Sequence, residues 1–306
     1  MEVREVGVEE YGEYFNSHPH VFINTAFTEL NKHKVNAVRY LVFEDGKVRF
    51  GIILGETTDP VTRQPVWRSP FSAPFGGFDY NKEQTFDVID SAVIALKDYV
   101  GVPIRITLPP AFYDPNMVNM LVNSFMRHGT LHHADVNYHF NTVDIINYER
   151  AMDRNGRNKL RQAELNFSLS DIRLSTADEA YEIIRQNRAE HGYPLRMSLD
   201  EVKRTVAIIP ADFFILSYRG SDVAAAQVFH VAKDIVQVIY WGDVRKYSDL
   251  RPMNYLAYSL FNYYHDNNVS IVDVGPSTED GVPNSGLCSF KRSVGCHPTL
   301  KYTFEL

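Results

Sequence analysis

Apolar residues in the first half of the chain recur first with the period of a strand and then with that of a helix. β-Rich runs over 38–44 and 47–55 flank Asp45-Gly46, a dipeptide typical of type I′ turns, and this arrangement predicts a β-hairpin. The apolar stripe over 82–99 predicts a helix, because residues three and four apart share one helical face. The first half therefore opens as a mixed α/β pattern.

Further runs extend this mixed pattern. An apolar stretch over 102–108 ends at two prolines and predicts a strand, and a stripe over 116–127 predicts another helix. Alternation over 136–146 predicts a further strand, and shorter helices are expected over 8–16 and 27–32.

The second half repeats the order of elements in the first. Its predicted elements are helices over 152–165, 175–190 and 200–206, a hairpin of strands over 213–218 and 223–231, a strand over 235–241, a helix over 252–266 and a strand over 269–274. In each half a hairpin precedes a strand, a helix and an apolar strand that ends at a proline, Pro109 or Pro276. This order predicts an internal duplication, with domains at 1–150 and 151–306 and a ligand groove between them.

Composition narrows the class of protein. Hydrophobic residues make up 44% and charged residues 23% of the chain, as in packed domains. The net charge of −7 lacks the basic footprint of a DNA-binding protein. No apolar run has the length of a membrane span, the N-terminus has no apolar signal core, and two cysteines make no disulfide framework. A cytoplasmic location is therefore expected. No metal site is predicted, because the sequence places no carboxylate or Cys at metal-ligand spacing from His132, His133 and His139.

Candidate chemistry is concentrated in residues 281–297. Turn residues open this stretch as a loop, and an apolar segment follows in which Lys291 comes directly after Phe290 and before Arg292. Lys291 is a candidate for stabilising an oxygen that becomes negative during acyl transfer. The alternative is a lysine whose stem covers Phe290 while its ammonium group stays in water. Arg292 is expected to be a surface charge.

Several residues near predicted strand and helix ends are candidates for substrate binding. Tyr193 and Arg196 follow the break after the helix over 175–190, and Tyr240 and Trp241 end a strand. Core packing is the alternative for the aromatic residues, and a surface ion pair is the alternative for Arg196.

Three carboxylates are candidates for proton removal from an attacking amine. Asp273 lies near a strand end and is also a candidate for substrate binding, whereas Glu279 and Asp280 lie in the loop that follows. Exposed carboxylates in loops are common, and water or a group of the substrate is an alternative base.

Four motifs carry a resemblance to a known family. They are Ser-Pro-Phe-Ser-Ala-Pro-Phe-Gly-Gly-Phe at 69–78, Arg-Asn-Lys-Leu-Arg-Gln-Ala at 157–163, Gly-Pro-Ser-Thr at 275–278 and Asn-Ser-Gly-Leu-Cys-Ser-Phe-Lys-Arg-Ser-Val-Gly at 284–295. With the duplicated order, they resemble the Fem-type aminoacyltransferases of peptidoglycan bridge formation and their acyltransferase relatives. The resemblance covers most of the chain. It implies an α+β (mixed α/β) fold of two tandem GNAT-like domains, each a mostly antiparallel mixed sheet flanked by helices.

The resemblance also implies an activity. It implies transfer of an acyl or aminoacyl group to an amine of a peptidoglycan or polysaccharide precursor, that is, a small-molecule or nucleotide-sugar-linked acceptor. Phe290 and Lys291 match the Phe-Lys pair at the family's active centre. The alternatives are a CoA-dependent N-acetyltransferase with a small-molecule acceptor and a non-catalytic ligand-binding member of the fold.

Two departures from the family concern the acyl donor, for which the resemblance allows aminoacyl-tRNA or acyl-CoA. The stretch between 150 and 213 is too short for the helical arm associated with tRNA engagement. The connection over 244–253 has no glycine to let backbone N–H groups grip a pyrophosphate. Arg245, Lys246 and Arg251 supply positive charge there and are the candidates for cofactor binding.

Overall fold

The computed structural model describes residues 1–15 and 17–306. By internal contacts these form two compact units, one of Met1–Val136 with Thr299–Leu306 and the other of Asn137–Pro298. The units assign 137–150 and 299–306 differently from the predicted domains 1–150 and 151–306, so the domain division near residue 150 stays a prediction.

The first unit is built around one sheet. Its elements are β1 Glu2–Val6, α1 Val8–Tyr14, α2 Thr25–Asn31, β2 Val38–Glu44, β3 Val48–Thr58, β4 Pro65–Ser69, β5 Phe78–Asp79, α3 Phe86–Val100, β6 Ile104–Thr107, α4 Pro115–His128 and the start of β7 Thr130–Asn141. The strand order is β1-β2-β3-β4-β6-β15, where β15 is His297–Glu305 and β5 pairs with β3. Only β4 and β6 pair in parallel among these strands.

The second unit is also built around one sheet. It contains the end of β7 and then α5 Tyr148–Ala151, α6 Arg154–Glu164, β8 Ile172–Leu174, α7 Ala177–His191, α8 Leu199–Val206, β9 Ala211–Tyr218, β10 Ser221–Ala232, β11 Ile235–Asp243, α9 Pro252–Asp266, β12 Ile271–Pro276, β13 Thr278–Glu279, β14 Val282–Pro283 and α10 Ser285–Ser293. The strand order is β7-β12-β11-β10-β9-β8, and β13 and β14 form a separate small ladder. Only β11 and β12 pair in parallel among these strands.

The predicted duplication is confirmed at the level of topology. In the first unit the β2–β3 hairpin precedes β4, α3 and β6, and β4 pairs with β6 in parallel. In the second unit the β9–β10 hairpin precedes β11, α9 and β12, and β11 pairs with β12 in parallel. The predicted mixed, mostly antiparallel sheets flanked by helices are therefore present in both repeats.

The final strand of each repeat forms backbone hydrogen bonds with a strand of the other repeat. β7 follows α4 in the chain, yet its residues 137–141 pair with β12. β15 follows α10, yet its residues 303–305 pair with β6. This exchange explains why the chain returns to the first unit after residue 298.

One strand prediction is wrong in its second half. The strand predicted over 136–146 ends at Asn141, and residues 142–147 form a 3₁₀ helix instead.

Two predictions about turns and loops are also wrong. The turn after β2 is not type I′, because only Gly46 of the Asp45-Gly46 pair has a positive φ, at 66°, whereas type I′ needs two positive φ angles. Residues 285–293 form the helix α10 rather than a loop that runs into an apolar segment. Asn284 begins this helix by accepting a hydrogen bond from the Leu287 N–H at 3.0 Å.

The helical stripes bury the faces that their periods predict. In the first unit, Ile89, Val93 and Leu96 of α3 are fully buried in a core that also contains Phe304 of β15. Each such side chain contributes about 1.5–3 kcal/mol when it leaves water. Among the described residues, no helix combines the length and the apolar character needed to cross a membrane.

Candidate functional site

The two parallel strands of the second unit diverge at their carboxyl ends. β11 and β12 pair over three positions, from Ile235–Ile271 to Gln237–Asp273. β11 then continues through 238–243 with β10 as its partner. Crevices at the carboxyl ends of parallel strands are the usual ligand sites of open α/β sheets. The residues at these two strand ends therefore form the candidate site.

Lys291 lies at this edge on the buried face of α10. The residue is only 2% exposed, and its Nζ donates hydrogen bonds to the carbonyl oxygens of Gly275 at 2.8 Å and Pro276 at 2.9 Å. Its ammonium group lies 5.9 Å from the ring centre of Tyr138. The lysine is thus an enclosed charge at the end of β12, and its ammonium group is not in bulk water.

Phe290 and Trp241 join α10 to the end of β11. Their rings meet edge to face, with centroids 5.7 Å apart, and both residues are half-buried. Arg292, the next residue after Lys291, is exposed. The structure therefore places Trp241 against Phe290, the residue that precedes Lys291 in α10.

Asp273 supports the strand end to which Lys291 is bound. Its carboxylate is fully buried and accepts hydrogen bonds from Asn137 Nδ2 at 2.8 Å, the Gly275 N–H at 2.8 Å and Gln237 Nε2 at 2.7 Å. The bond to Gly275 stabilises a register shift in the β7–β12 ladder. Asp273 thereby positions the carbonyl oxygens that hold Lys291, and its predicted contact with substrate stays a prediction.

Tyr138 and the two cysteines complete the surroundings of Lys291. Burial, followed by the neighbouring Cys288 thiol, raises the pKa of the Tyr138 hydroxyl. Burial also raises the pKa of the Cys296 thiol, which keeps this group protonated and unsuited to nucleophilic attack. Both cysteines are free. Tyr138 was not a predicted site residue, since its only signal was a place in an alternating strand.

Tyr193, Arg196 and Tyr240 lie on the α7 side of β11. The guanidinium group of Arg188 is 5.9 Å from the ring centre of Tyr193 and 5.1 Å from that of Tyr240. Arg196 is strongly exposed and pairs with the equally exposed Glu279 at 3.1 Å. Sequence patterns did not single out Arg188, because one arginine in a polar helix carries no distinctive signal.

The cations after β11 do not converge on one point. The Arg245 N–H donates to Glu190 Oε2 at 2.8 Å, and Arg251 Nε donates to Gln162 Oε1 at 3.4 Å. Lys246 lies over the ring of its own neighbour in the chain, Tyr247, at 5.1 Å. Their predicted role in cofactor binding stays a prediction. Among the described residues, no cluster of His, Cys, Asp or Glu has the arrangement of a metal site.

In the first unit, the glycine pair of the 69–78 loop serves close packing of the chain. A Cβ at Gly76 would lie 2.7 Å from Ser69 Oγ and 2.8 Å from Pro70 N. The segment that packs against Gly76 is therefore the start of the same loop. The Gly77 N–H also donates to Ser69 Oγ at 3.1 Å. Phe22 and Phe71 line a small pocket beside this loop.

Proteins of low sequence identity share this fold. The crystal structure of FemX superposes with a TM-score of 0.69 at 12% identity, over 100% of this chain and 97% of its own. L-PGS from Bacillus licheniformis superposes with a TM-score of 0.58 at 11% identity, over 98% and 93%. A tandem GNAT protein from the clavulanic acid biosynthesis pathway gives 0.50 at 11% identity, over 100% and 98%.

These similarities establish the fold of the chain. No protein-family model and no curated protein matches its sequence. At such low identities a shared architecture shows a common fold and nothing about activity. The tandem GNAT-like fold that the motif resemblance implies is confirmed.

Proposed function

We propose that this protein is a cytoplasmic acyltransferase that moves an acyl or aminoacyl group to an amine of a peptidoglycan or polysaccharide precursor. The observation that supports this most is the buried Lys291 ammonium group, held by the carbonyl oxygens of Gly275 and Pro276 where β11 and β12 diverge. The fold shared with FemX and with a tandem GNAT protein adds support. The acceptor class rests on the motif resemblance.

The proposed reaction is attack of the acceptor amine on the carbonyl carbon of an ester or thioester donor. A C–N bond forms and the donor's C–O or C–S bond breaks. The carbonyl oxygen becomes negative in the tetrahedral intermediate. The positive charge of Lys291 stabilises that oxygen, because charges interact strongly where the protein excludes water.

The amine must also lose a proton during this reaction. Asp273 already accepts hydrogen bonds from three protein groups, and Glu279 is engaged with Arg196 at the surface. Asp280 is exposed in the turn between β13 and β14. We therefore assign the proton to water or to the leaving group of the donor. In this scheme Asp273 positions the carbonyl oxygens that hold Lys291.

The acyl donor is either an acyl-CoA or an aminoacyl-tRNA. The connection after β11 forms a short 3₁₀ helix over Arg245–Leu250 and has no glycine, which weakens the case for a backbone cradle around a pyrophosphate. Between 151 and 213 the longest helix is Ala177–His191, which weakens the case for a tRNA-binding arm. Calorimetry with acetyl-CoA separates the two donors, since binding at millimolar ligand selects the CoA ester.

The test is product formation by the wild-type protein and by Lys291→Met. Each is incubated with acetyl-CoA or aminoacyl-tRNA and with amine-bearing nucleotide-sugar precursors, and the acceptor mass is followed. We expect transfer by the wild type and a loss of roughly 100-fold or more in Lys291→Met, the size seen when one oxyanion-stabilising donor is removed.

Arg292→Met is the matched control, because Arg292 is exposed on the same helix and should transfer at the wild-type rate. Circular dichroism and thermal unfolding check that both variants fold. Undiminished transfer by Lys291→Met would remove the role of Lys291. Ligand binding by the wild type with no transfer from any donor would favour the non-catalytic alternative.

A further inference from the structure

Arg188 lies close to two tyrosine rings at the end of α7. The helix stops at Gly192, whose φ of 69° turns the chain back on itself. The Tyr193 N–H then donates to the Arg188 carbonyl at 2.9 Å, which brings the Tyr193 ring to 5.9 Å from the guanidinium carbon. Tyr240 of β11 approaches the same carbon to 5.1 Å. Local capping and the packing of α7 on the sheet therefore fix this cation in place.

The charge of Arg188 has no acidic partner among the described residues. Its Nε is buried without a hydrogen bond, and burial lowers the pKa of the guanidinium group. By contrast, Arg185 on the same helix bonds Glu182 at 2.9 Å, and Arg196 pairs with Glu279 at 3.1 Å. Arg188 is half-buried, and a cation that is partly removed from water is normally paired, because losing hydration of a charge is costly.

The acid nearest in the chain is engaged elsewhere. Glu190 accepts a hydrogen bond from the Arg245 N–H at 2.8 Å and another from Gln186 Nε2 at 2.9 Å. The imidazole of His191 stacks on Tyr193, with centroids 5.9 Å apart and planes 10° apart. The surroundings of Arg188 thus supply aromatic faces and no negative charge.

We propose that Arg188 binds an oxyanion group, a carboxylate or a phosphate, of the acceptor substrate. A planar guanidinium group binds either through paired N–H···O bonds. The rings of Tyr193 and Tyr240 hold its plane in position, so that little side-chain entropy is lost on binding.

The assignment of this anion to the acceptor rests on the proposed transferase function. Tyr240 and Trp241 are consecutive in β11, and consecutive side chains point to opposite faces of a sheet. Trp241 packs against Phe290, next to Lys291, which we assign to the acyl carbonyl group. The opposite face, with Tyr240 and Arg188, is therefore assigned to the amine substrate. The two substrates would meet where β11 and β12 diverge.

The test measures anion binding directly. Acetate and inorganic phosphate are titrated into the wild-type protein while the arginine Nε–Hε signals are followed by nuclear magnetic resonance. We expect a saturable shift of one signal that is missing from the spectrum of Arg188→Gln. Binding to that variant, followed through neighbouring amide signals, should weaken about tenfold or more, as expected when a charge-assisted hydrogen bond is lost. The anion that binds more tightly identifies the group as carboxylate or phosphate.

Arg185→Gln is the matched control, because Arg185 lies on the same helix and is exposed and paired. It should bind both anions as the wild type does. Arg188→Lys keeps the charge without the planar fork and should bind with intermediate affinity. If Arg188→Gln does not fold, the anion affinity of Arg188→Lys is compared with that of the wild type instead.

Two results would overturn the proposal. One is the absence of a saturable shift with either anion. The other is lower thermal stability of Arg188→Gln with unchanged anion binding, which would give Arg188 a purely structural role. The transfer assay separates this inference from the proposed function. Anion binding without any transfer keeps the site and removes its assignment to an acceptor, whereas transfer without anion binding removes the site.

Discussion

The position of Lys291 depends on a chain of hydrogen bonds between residues that are distant in sequence. Asn137 and Gln237 hold the Asp273 carboxylate, which accepts the Gly275 N–H. The Gly275 carbonyl oxygen in turn accepts a hydrogen bond from Lys291. A lysine that is 2% exposed is rare among lysines, and this network accounts for its enclosure.

His20 leads to a prediction about stability in acid. The imidazole is 2% exposed, and its ring packs against Phe75, with centroids 4.8 Å apart. Burial lowers the pKa of His20 to about 3, whereas an unfolded histidine titrates near 6.5. Between these values only the unfolded chain binds the proton, so the stability is present above pH 6.5 and is lost as the pH falls towards 3.

We expect the contribution of His20 to the free energy of unfolding to fall by about 1.4 kcal/mol per pH unit below pH 6.5. Urea unfolding of the wild type and of His20→Leu, measured from pH 8 to pH 4.5, checks this. For His20→Leu, the free energy of unfolding should fall less steeply with pH than for the wild type below pH 6.5. Above pH 7 the two proteins should show the same pH dependence. Identical slopes below pH 6.5 would show that His20 is not buried in its neutral form.

At the scale of elements, α10 is the helix on which the candidate site depends, and local patterns do not predict it. It is nine residues long and includes Gly286, and helices this short are not stable by themselves. Tertiary contacts hold it in place, including the hydrogen bond from the Tyr148 hydroxyl to the Val294 carbonyl at 3.0 Å. By contrast, α9 has the bounds Pro252–Asp266 that its pattern predicts.

Gly156 of α6 provides a test of how α10 is held. A Cβ at this position would lie 1.8 Å from the Ser293 carbonyl oxygen at the end of α10, a distance at which backbone must move. We expect Gly156→Ala to destabilise the protein by about 1–3 kcal/mol and to lower the transfer rate, because Lys291 moves with α10. Chemical denaturation and the transfer assay measure the two effects.

Gly286→Ala is the control on α10 itself. The nearest atom to an added Cβ there is Asn284 Oδ1 at 3.5 Å, an ordinary contact. Alanine is the better helix former by about 1 kcal/mol, so this variant should be as stable as the wild type or more stable. Equal stability of Gly156→Ala and the wild type would mean that α10 does not rest on α6.

At the scale of the whole molecule, the exchange of final strands makes each unit depend on a distant part of the chain. β15 ends the sequence, yet it pairs with β6. Phe304 of this strand is fully buried and stacks on Phe125 of α4, with centroids 5.5 Å apart. The core of the first unit is therefore complete only when the last residues are in place.

Phe304→Ala tests this dependence. Removing a fully buried phenylalanine should lower the free energy of unfolding by about 3–5 kcal/mol, and hydrogen exchange should rise at the amides of β6. Leu300→Ala on the same strand is the control, because Leu300 is 44% exposed and should cost less than about 1 kcal/mol. Similar effects of the two substitutions would contradict the placement of Phe304 in that core.

The sequence by itself determined most of the longer helices and strands and their duplicated order. Periodicity identified the hairpins over 38–55 and 213–231 and the helix over 252–266, because these features depend on neighbouring residues. The Phe290-Lys291 pair stood out through its motif and through its place after the last strand of the repeat.

Only the tertiary structure decided the exchange of the two final strands, the enclosure of Lys291 by β12 and the position of Arg188 beside two tyrosine rings. Each of these depends on contacts between distant parts of the chain. Side-chain burial and hydrogen bonding depend on how all the elements pack. A local sequence pattern does not specify which distant residue a side chain will contact.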